Sequence, residues 1–449
     1  MDSVKNAQAY VTKSFLIDII TRDIGILEAI LELVDNSVDR AVELYNIEVT
    51  KGLTEDYTYD KEITLHEPLS VKIDLSDNQI TIEDNCGGIS NDDLKEEVFI
   101  FGNPKKDTDY LGLSAFGIGM KRALFKLGRM VEIRTRTKED ESAINWDINV
   151  WVESGNEKGD WDIPFADVKD SELKYSYELP GTVIKVTGLN NTIQKRFMQP
   201  EFLVSLKNRL QTSYALFLKS GLKIFLNGEQ LNHSLPGFVT SDEFSYTSKS
   251  LKVDDVDIQI ILGITPVSDR IPRGWYIFCN GRMVIESDKT FTTGWGTYIP
   301  SFHPKWNHFL GFVSFKSSNV KALPWSSTKW GIELDSYIYN IALEEMKLQA
   351  KPILNFLDRW KDGIDDDAPA PHLYELLKNG KETPVFASAG SEKFFTYKPK
   401  KPIPEVTRIT FTKDRALVER VKEALGNPSM KNVSVGELVF DYYVEREID

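Results

Sequence analysis

The sequence predicts an α+β chain: a helix-and-sheet sandwich, then a second mixed region, then an α-rich end. Three observations predict it. The stretch "ILEAILELVDNSVDRAVELY", Ile26 to Tyr45, repeats apolar residues at a helical period. Runs of strand-like alternation follow it to about residue 205, and helix layered on sheet is the packing such segments make. Beyond that point a second set of strand-like runs leads into a long apolar-periodic helix.

Taken in order, the first helix has two faces. At roughly 100° per residue, Ile24, Leu27, Leu31, Val34, Val38, Val42 and Tyr45 share one broad arc, a core face. Glu28, Glu32, Asp35, Asn36 and Asp39 share the neighbouring arc, with Glu32 and Asn36 side by side one turn apart. Alone, such a stripe reads as a solvated helix face. Four close carboxylates repel one another, however, and a divalent cation or a basic partner would relieve that cost.

After the helix, "LSVKIDLSDNQITIEDNCGGI" alternates on either side of Ser76-Asp77-Asn78, a hairpin ending in a glycine turn with Asp84 at the strand end. "EVFIFGNPKK" leads into a polar loop, and "YLGLSAFGIGMKRALFKLG" opens a helix with glycines. "RMVEIRTRT", "AINWDINVWV" and "GTVIKVTGL" read as strands. From "EFLVSLKNRLQTSYALFLKSG" a second mixed region begins, with strands "LKIFLNG", "VDIQIILGIT", "GWYIFCNGRMV" and "HFLGFVSF", closed by "LPWSSTKWGIELD". A long helix near Tyr337 to Trp360 follows, then the linker-like "DGIDDDAPAP" and "YKPKKPIPE". The tail reads strand, helix, helix, from "VTRITF" through "KDRALVERVKEAL" to "VGELVFDYYVERE", with Ser434 as the cap of the last helix. The expected domains are therefore 1–205, 206–336, a helix and linkers over 337–404, and a small βαα unit over 405–449.

Composition narrows the function classes. Hydrophobic content of 41% with 27% charge is ordinary globular composition. No apolar run approaches membrane-spanning length, and "MDSVKNAQAY" lacks the basic and apolar parts of a signal peptide, so a cytoplasmic protein with no membrane partner is expected. Cys86 and Cys279 make no disulfide framework, and five scattered histidines give no zinc spacing. A net charge of −14 argues against a chain that coats nucleic acid with its whole surface, although a local basic patch survives that average.

Two glycine-rich turns stand where chemistry would need them. "DNCGGI" follows Asp84, whose carboxylate can accept a hydrogen bond from an exocyclic amine such as that of adenine. "FGIGMK" offers backbone N–H groups at a helix N-terminus, a phosphate site with Lys121 one turn in. Gly112 and Gly117 have the glycine spacing of a P-loop, but Ile118 stands where its lysine is required.

In this order and spacing the segments resemble the GHKL ATPases: gyrase, heat-shock chaperone, histidine kinase and MutL. "ELVDNSVDRA" looks like the N-box, "EDNCGGI" the first glycine box, "AFGIGMKRA" the second, and "PGTVIKV" the later Gly-Thr strand. The resemblance implies a Bergerat-type ATP-binding α/β sandwich that takes ATP and Mg²⁺. It makes Asn36 the Mg²⁺ ligand, a neutral oxygen suited to a hard cation already held by phosphates. Glu32 becomes the general base that polarises the attacking water. Asp84 would read the adenine amino group with Thr182 supporting it through water, Gly88 would admit the base, and Gly117, Gly119 and Lys121 would cradle phosphate. Asp35 and Asp39 would orient neighbours. The family pattern is Asp-x-Gly-x-Gly; this chain has Cys86 at the first glycine and Gly87 added beside Gly88, which an ordinary backbone angle at Cys86 would permit.

The second region resembles the S5-like transducer domain of MutL-like and MORC-like members. "SSTKWGI" looks like the transducer loop whose lysine, here Lys329, reaches the γ-phosphate, and "FGNPKK" resembles the start of their lid. The resemblance implies an ATP-dependent homodimer, a clamp acting on DNA or a DNA-bound complex. A chaperone-like ATPase that remodels a client protein, or a nucleotide-binding scaffold without turnover, are the alternatives. Lys105 and Lys106 read as loop lysines, and Trp295, Trp306, Trp325 and Trp330 as core or interface aromatics.

Overall fold

The computed structural model describes residues 11–45, 67–102, 111–114, 117–155, 158–266, 272–297, 299–358, 371–383, 393–397 and 409–448. Two compact units divide the chain, Met1–Lys398 and Pro399–Asp449. The first unit holds two sheets. Among its helices are α1 (Lys13–Arg22), α2 (Ile26–Tyr45) and α3 (Gly119–Leu127).

The first sheet has eight strands: β1 (Ser70–Leu75), β2 (Ile80–Asp84), β3 (Met130–Arg136), β4 (Glu141–Asp147), β5 (Phe165–Ala166), β6 (Gly181–Thr187), β7 (Lys223–Leu226) and β8 (Glu229–Gln230). Their order is β5-β4-β3-β6-β2-β1-β7-β8. The expected hairpin is β1–β2, with Val71 opposite Asp84 and Leu75 opposite Ile80. Because strand side chains alternate, Asp84 falls on the same face as the buried Ile80 and Ile82, and is carried inward with them. The strand "LKIFLNG", expected in the second region, is β7 and lies parallel to β1, so this sheet runs on past residue 205. A second difference concerns "AINWDINVWV": the strand stops at Asp147, whose carboxylate accepts from the N–H groups of Asn149 and Val150 and starts a helix over Ile148–Glu153.

The second sheet comprises β9 (Phe238–Thr240), β10 (Thr247–Val253), β11 (Val256–Ile264), β12 (Gly274–Cys279), β13 (Arg282–Asp288), β14 (Phe309–Lys316) and β15 (Lys381–Thr383). Their order is β13-β12-β14-β11-β9-β15, with β10 on β11. Residues of β12 and all but the last of β14 are buried, as β-rich apolar strands covered on both faces should be. Helix α4 (Pro200–Ser213) packs against β13, and the long α5 (Tyr337–Asp358) packs on β11, burying Tyr339, Ala342, Met346, Ala350 and Ile353. Trp295, Trp306 and Trp325 are buried as expected, while Trp330 is half-buried with the Arg209 guanidinium 3.7 Å from its ring centre.

In the second unit, α6 (Arg415–Ala424) and α7 (Asn432–Glu447) pack on each other. Asp414 caps α6. Helix α7 begins at Asn432, so Ser434 lies inside it and is not its cap. Of the expected strand "VTRITF", residues 406–408 fall outside the described ones and Ile409–Phe411 are not in a strand. Lys105 and Lys106 also lie outside the described residues. Among the described residues no helix is long and apolar enough to cross a membrane.

Candidate functional site

A cleft opens between α2, α3, the first sheet and the loop after β14. Its lining includes Glu32, Asn36, Asp84, Gly88, Gly117, Gly119, Lys121, Thr182 and Lys329. All nine residues singled out from the sequence thus meet in one place.

At one end the glycine turn is built around Asp84. Its carboxylate is buried and accepts from the Ser37 hydroxyl at 2.7 Å and the Cys86 N–H at 2.9 Å. Burial pushes it up to about 6, against the hydrogen bonds from Ser37, Cys86 and the Thr182 backbone. The Thr182 hydroxyl lies 3.0 Å from that of Thr135, which in turn accepts from the Ile89 N–H. Cys86 is fully buried at an ordinary backbone angle, and the left-handed positions fall on Gly87 (φ 110°) and Gly88 (φ 71°). A Cβ on Gly88 would stand 2.1 Å from the Arg136 carbonyl oxygen, so only glycine fits there. The departure from the family pattern moves the first permissive position along by one residue, to Gly87, and leaves the second at Gly88. Arg40 fixes it from α2, its Nε donating to the Gly88 carbonyl at 3.0 Å.

At the other end, Gly117 (φ 63°) turns the chain into α3, whose first N–H groups have no side-chain cap. A Cβ on Gly119 would stand 2.3 Å from a Glu32 carboxylate oxygen, so glycine lets the helix start against that carboxylate. Lys121, expected from the sequence to meet phosphate, lines the cleft. Its ammonium donates to the carbonyls of Val98 at 2.8 Å and Ile100 at 2.9 Å, and burial lowers it to about 8. Asn36 spends its amide nitrogen on the Glu32 carbonyl at 2.9 Å, which leaves its Oδ1 as an acceptor at the cleft. Asp39 accepts from the Leu113 N–H at 2.6 Å, orienting the chain that leads toward the second glycine box.

Between these ends lies a buried charge cluster that joins the two sheets. Glu32 and Asp35 come from α2, Arg122 from α3, Arg282 from β13 and Lys329 from the loop after β14. Lys329 Nζ donates to Asp35 at 2.8 Å and Glu32 at 3.2 Å. Arg122 pairs with the other Glu32 oxygen. Arg282 Nε and the Tyr214 hydroxyl both donate to Asp35 at 2.7 Å. Burial alone raises Asp35, but Arg282 and then Lys329 outweigh it and hold the carboxyl below its ordinary range. Burial likewise opposes the charge on Lys329, and Asp35 with Glu32 turns the balance upward. The hairpin that delivers Arg282 turns at Asn280 (φ 46°) and Gly281 (φ 84°), the left-handed pair a two-residue hairpin needs. The Asn280 side chain also donates to the Gly112 carbonyl at 2.8 Å, linking this hairpin to the chain ahead of the second glycine box.

Arg122, Arg282, Tyr214, Ser37, Thr135 and Arg40 are site residues that sequence reasoning missed. The residues present fit a magnesium nucleotide. Three cations face two carboxylates in the cluster, so an anionic group in the cleft would find a surplus of positive charge. Among the described residues there is no cluster of three or more His, Cys, Asp or Glu suited to a metal.

Residues 25–174 match the family described as Histidine kinase-, DNA gyrase B-, and HSP90-like ATPase. That span contains Glu32, Asn36, Asp84, Gly88 and both glycines of the second box, and this stretch is accordingly similar to GHKL-type ATPase domains, in keeping with its α/β sandwich. No curated protein matches the chain.

Proposed function

We propose that the chain binds ATP with Mg²⁺ in this cleft, hydrolyses it, and uses the nucleotide to gate the pairing of two copies into a MORC-like or MutL-like clamp on DNA or a DNA-bound complex. The observation that carries this reading is the convergence of Glu32, Asn36 and Lys329, the last from 297 residues along the chain, in the cleft of a GHKL-type domain. Magnesium held by the Asn36 oxygen would neutralise charge on the phosphates. Asp84 accepts from the adenine amine, and the N-terminus of α3 faces the phosphates. Lys329 moves its ammonium from the two carboxylates to the terminal phosphate, which frees one Glu32 oxygen to take the proton of the attacking water.

Phosphate release by wild type and Glu32→Ala, with and without duplex DNA, tests the reading. Loss of a positioned base costs about 10²- to 10⁴-fold, so Glu32→Ala should bind ATP and turn it over at that fraction. Unchanged turnover in Glu32→Ala would sink the assignment. A DNA effect should weaken as salt rises; a salt-independent or absent effect would remove DNA from the proposal.

A further inference from the structure

Two arginines hold the Lys329 loop in the same way. Arg282 bridges Asp35 to the Lys329 carbonyl, with Nη1 to that oxygen at 2.7 Å. Arg122 bridges Glu32 to the Ser327 carbonyl, with Nη2 to that oxygen at 2.9 Å. Each guanidinium thus ties a carboxylate of α2 to a carbonyl of the loop over Ser326–Gly331. The loop needs such ties. Lys329 sits in the left-handed region (φ 58°), a conformation that a side-chain-bearing residue keeps only when its surroundings over-determine it. Its own turn contributes two backbone bonds, Lys329 N–H to Ser326 and Ser326 N–H to Gly331.

We infer that Arg122 is a positioning residue for the reaction proposed above, orienting the Glu32 carboxylate and registering it against the Lys329 loop. The inference rests on that reading and extends it to a residue outside the two boxes' glycines and the lysine. The chemistry of one atom carries it. Both bonds come from Nη2, which has two hydrogens in the guanidinium plane, so the direction to Ser327 fixes the direction to Glu32. The arginine is buried and lines the cleft. A shift of the loop therefore rotates the guanidinium and with it the carboxylate. Glu32 is aimed when the loop is seated and misaimed when it is not, so turnover depends on the second domain through Arg122 as well as through Lys329.

The test uses the full chain with Arg122→Met and Arg122→Lys. Methionine keeps an unbranched apolar stem and removes both bonds; lysine keeps the charge without the planar fork. Steady-state kinetics should show kcat for Arg122→Met down about 10²-fold with KM changed little, since the residue acts on the base and not on ground-state binding. Amide exchange over residues 324–332, measured without nucleotide, should accelerate in the same variant. Arg122→Lys should recover part of kcat. Wild-type kcat in Arg122→Met, or a kcat loss with loop exchange unchanged, overturns the inference. A loss carried wholly by KM overturns it too, because Arg122 would then be a binding residue. Absence of turnover in wild type would instead overturn the hydrolysis reading, and the role of Arg122 in it, whereas turnover that is equal in wild type and Arg122→Met removes Arg122 alone.

Discussion

Asp84 shows how one buried carboxylate can work against stability and for binding. Burial lifts it from an ordinary 3.8 to about 6. Between those values the native chain keeps a proton that the unfolded chain releases, so Asp84 subtracts stability as pH rises through that window. Adenine recognition runs the other way, because only the ionised carboxylate offers both oxygens as acceptors to an amine. ADP affinity should therefore fall as pH drops below about 6. Asp84→Asn should be weaker by roughly 1–3 kcal/mol at pH 8, where its amide turns a donor toward a donor, and should lack that part of the pH dependence. Phosphate titrates near pH 6 by itself in both proteins, so calorimetry of the pair isolates the carboxylate. Equal slopes in the two would show that Asp84 does not read the base. Asp84 was legible in the sequence because a carboxylate at a strand end before a glycine turn carries local meaning. Arg122 and Arg282 were not: their carboxylate partners lie 90 and 247 residues away, and no local pattern marks a guanidinium that the fold will bury.

At the scale of elements, the first glycine turn works because its conformational demands land on the residues able to meet them. Cys86 has an ordinary angle and fills a buried space, while Gly87 and Gly88 take the left-handed positions. Cys86→Gly should thus keep nucleotide affinity within about threefold and lower the melting temperature, through lost packing and added chain freedom of about 1 kcal/mol. Gly88→Ala should abolish nucleotide binding, because its Cβ would need the Arg136 carbonyl to move and its backbone to accept φ 71°. Thermal unfolding and nucleotide titration of the two variants check this; a binding-competent Gly88→Ala would mean the turn can be rebuilt. The hairpin before this turn could be read from period-two alternation, and so could the glycine-opened helix after it. The end of β4 could not, because the apolar–polar alternation continues past Asp147 and only the capping bonds of that aspartate reveal the switch to helix. Strand β7 was recognised as a strand but given to the wrong sheet, since alternation specifies a strand and not its partner, and pairing with β1 is a long-range choice.

At the scale of the whole first unit, the charge cluster ties α2 and α3 to the second sheet and to the Lys329 loop. Lys329 contacts two carboxylates of α2, and its own carbonyl is held by Arg282 from the first residue of β13. Anything that draws the ammonium away from Glu32 and Asp35 therefore acts on the loop and on the second sheet together. On the proposed reading a terminal phosphate would do this and ADP would not, which would make the contact a differential interaction able to bias one conformation over another. Removing the ammonium should not empty the cluster, because Arg122 remains on Glu32, and Arg282 with Tyr214 remains on Asp35. Lys329→Ala should accordingly fold, bind ADP with unchanged affinity, hydrolyse ATP slowly, and fail to pair with a second copy when given a non-hydrolysable ATP analogue. Sedimentation of wild type and variant with that analogue and with ADP is the measurement. Wild type should shift to a dimer with the analogue alone, and the variant should stay monomeric with both. Identical dimerisation by the two proteins would take Lys329 out of the coupling, leaving the ammonium as a static partner of α2 and the nucleotide signal to travel by another contact.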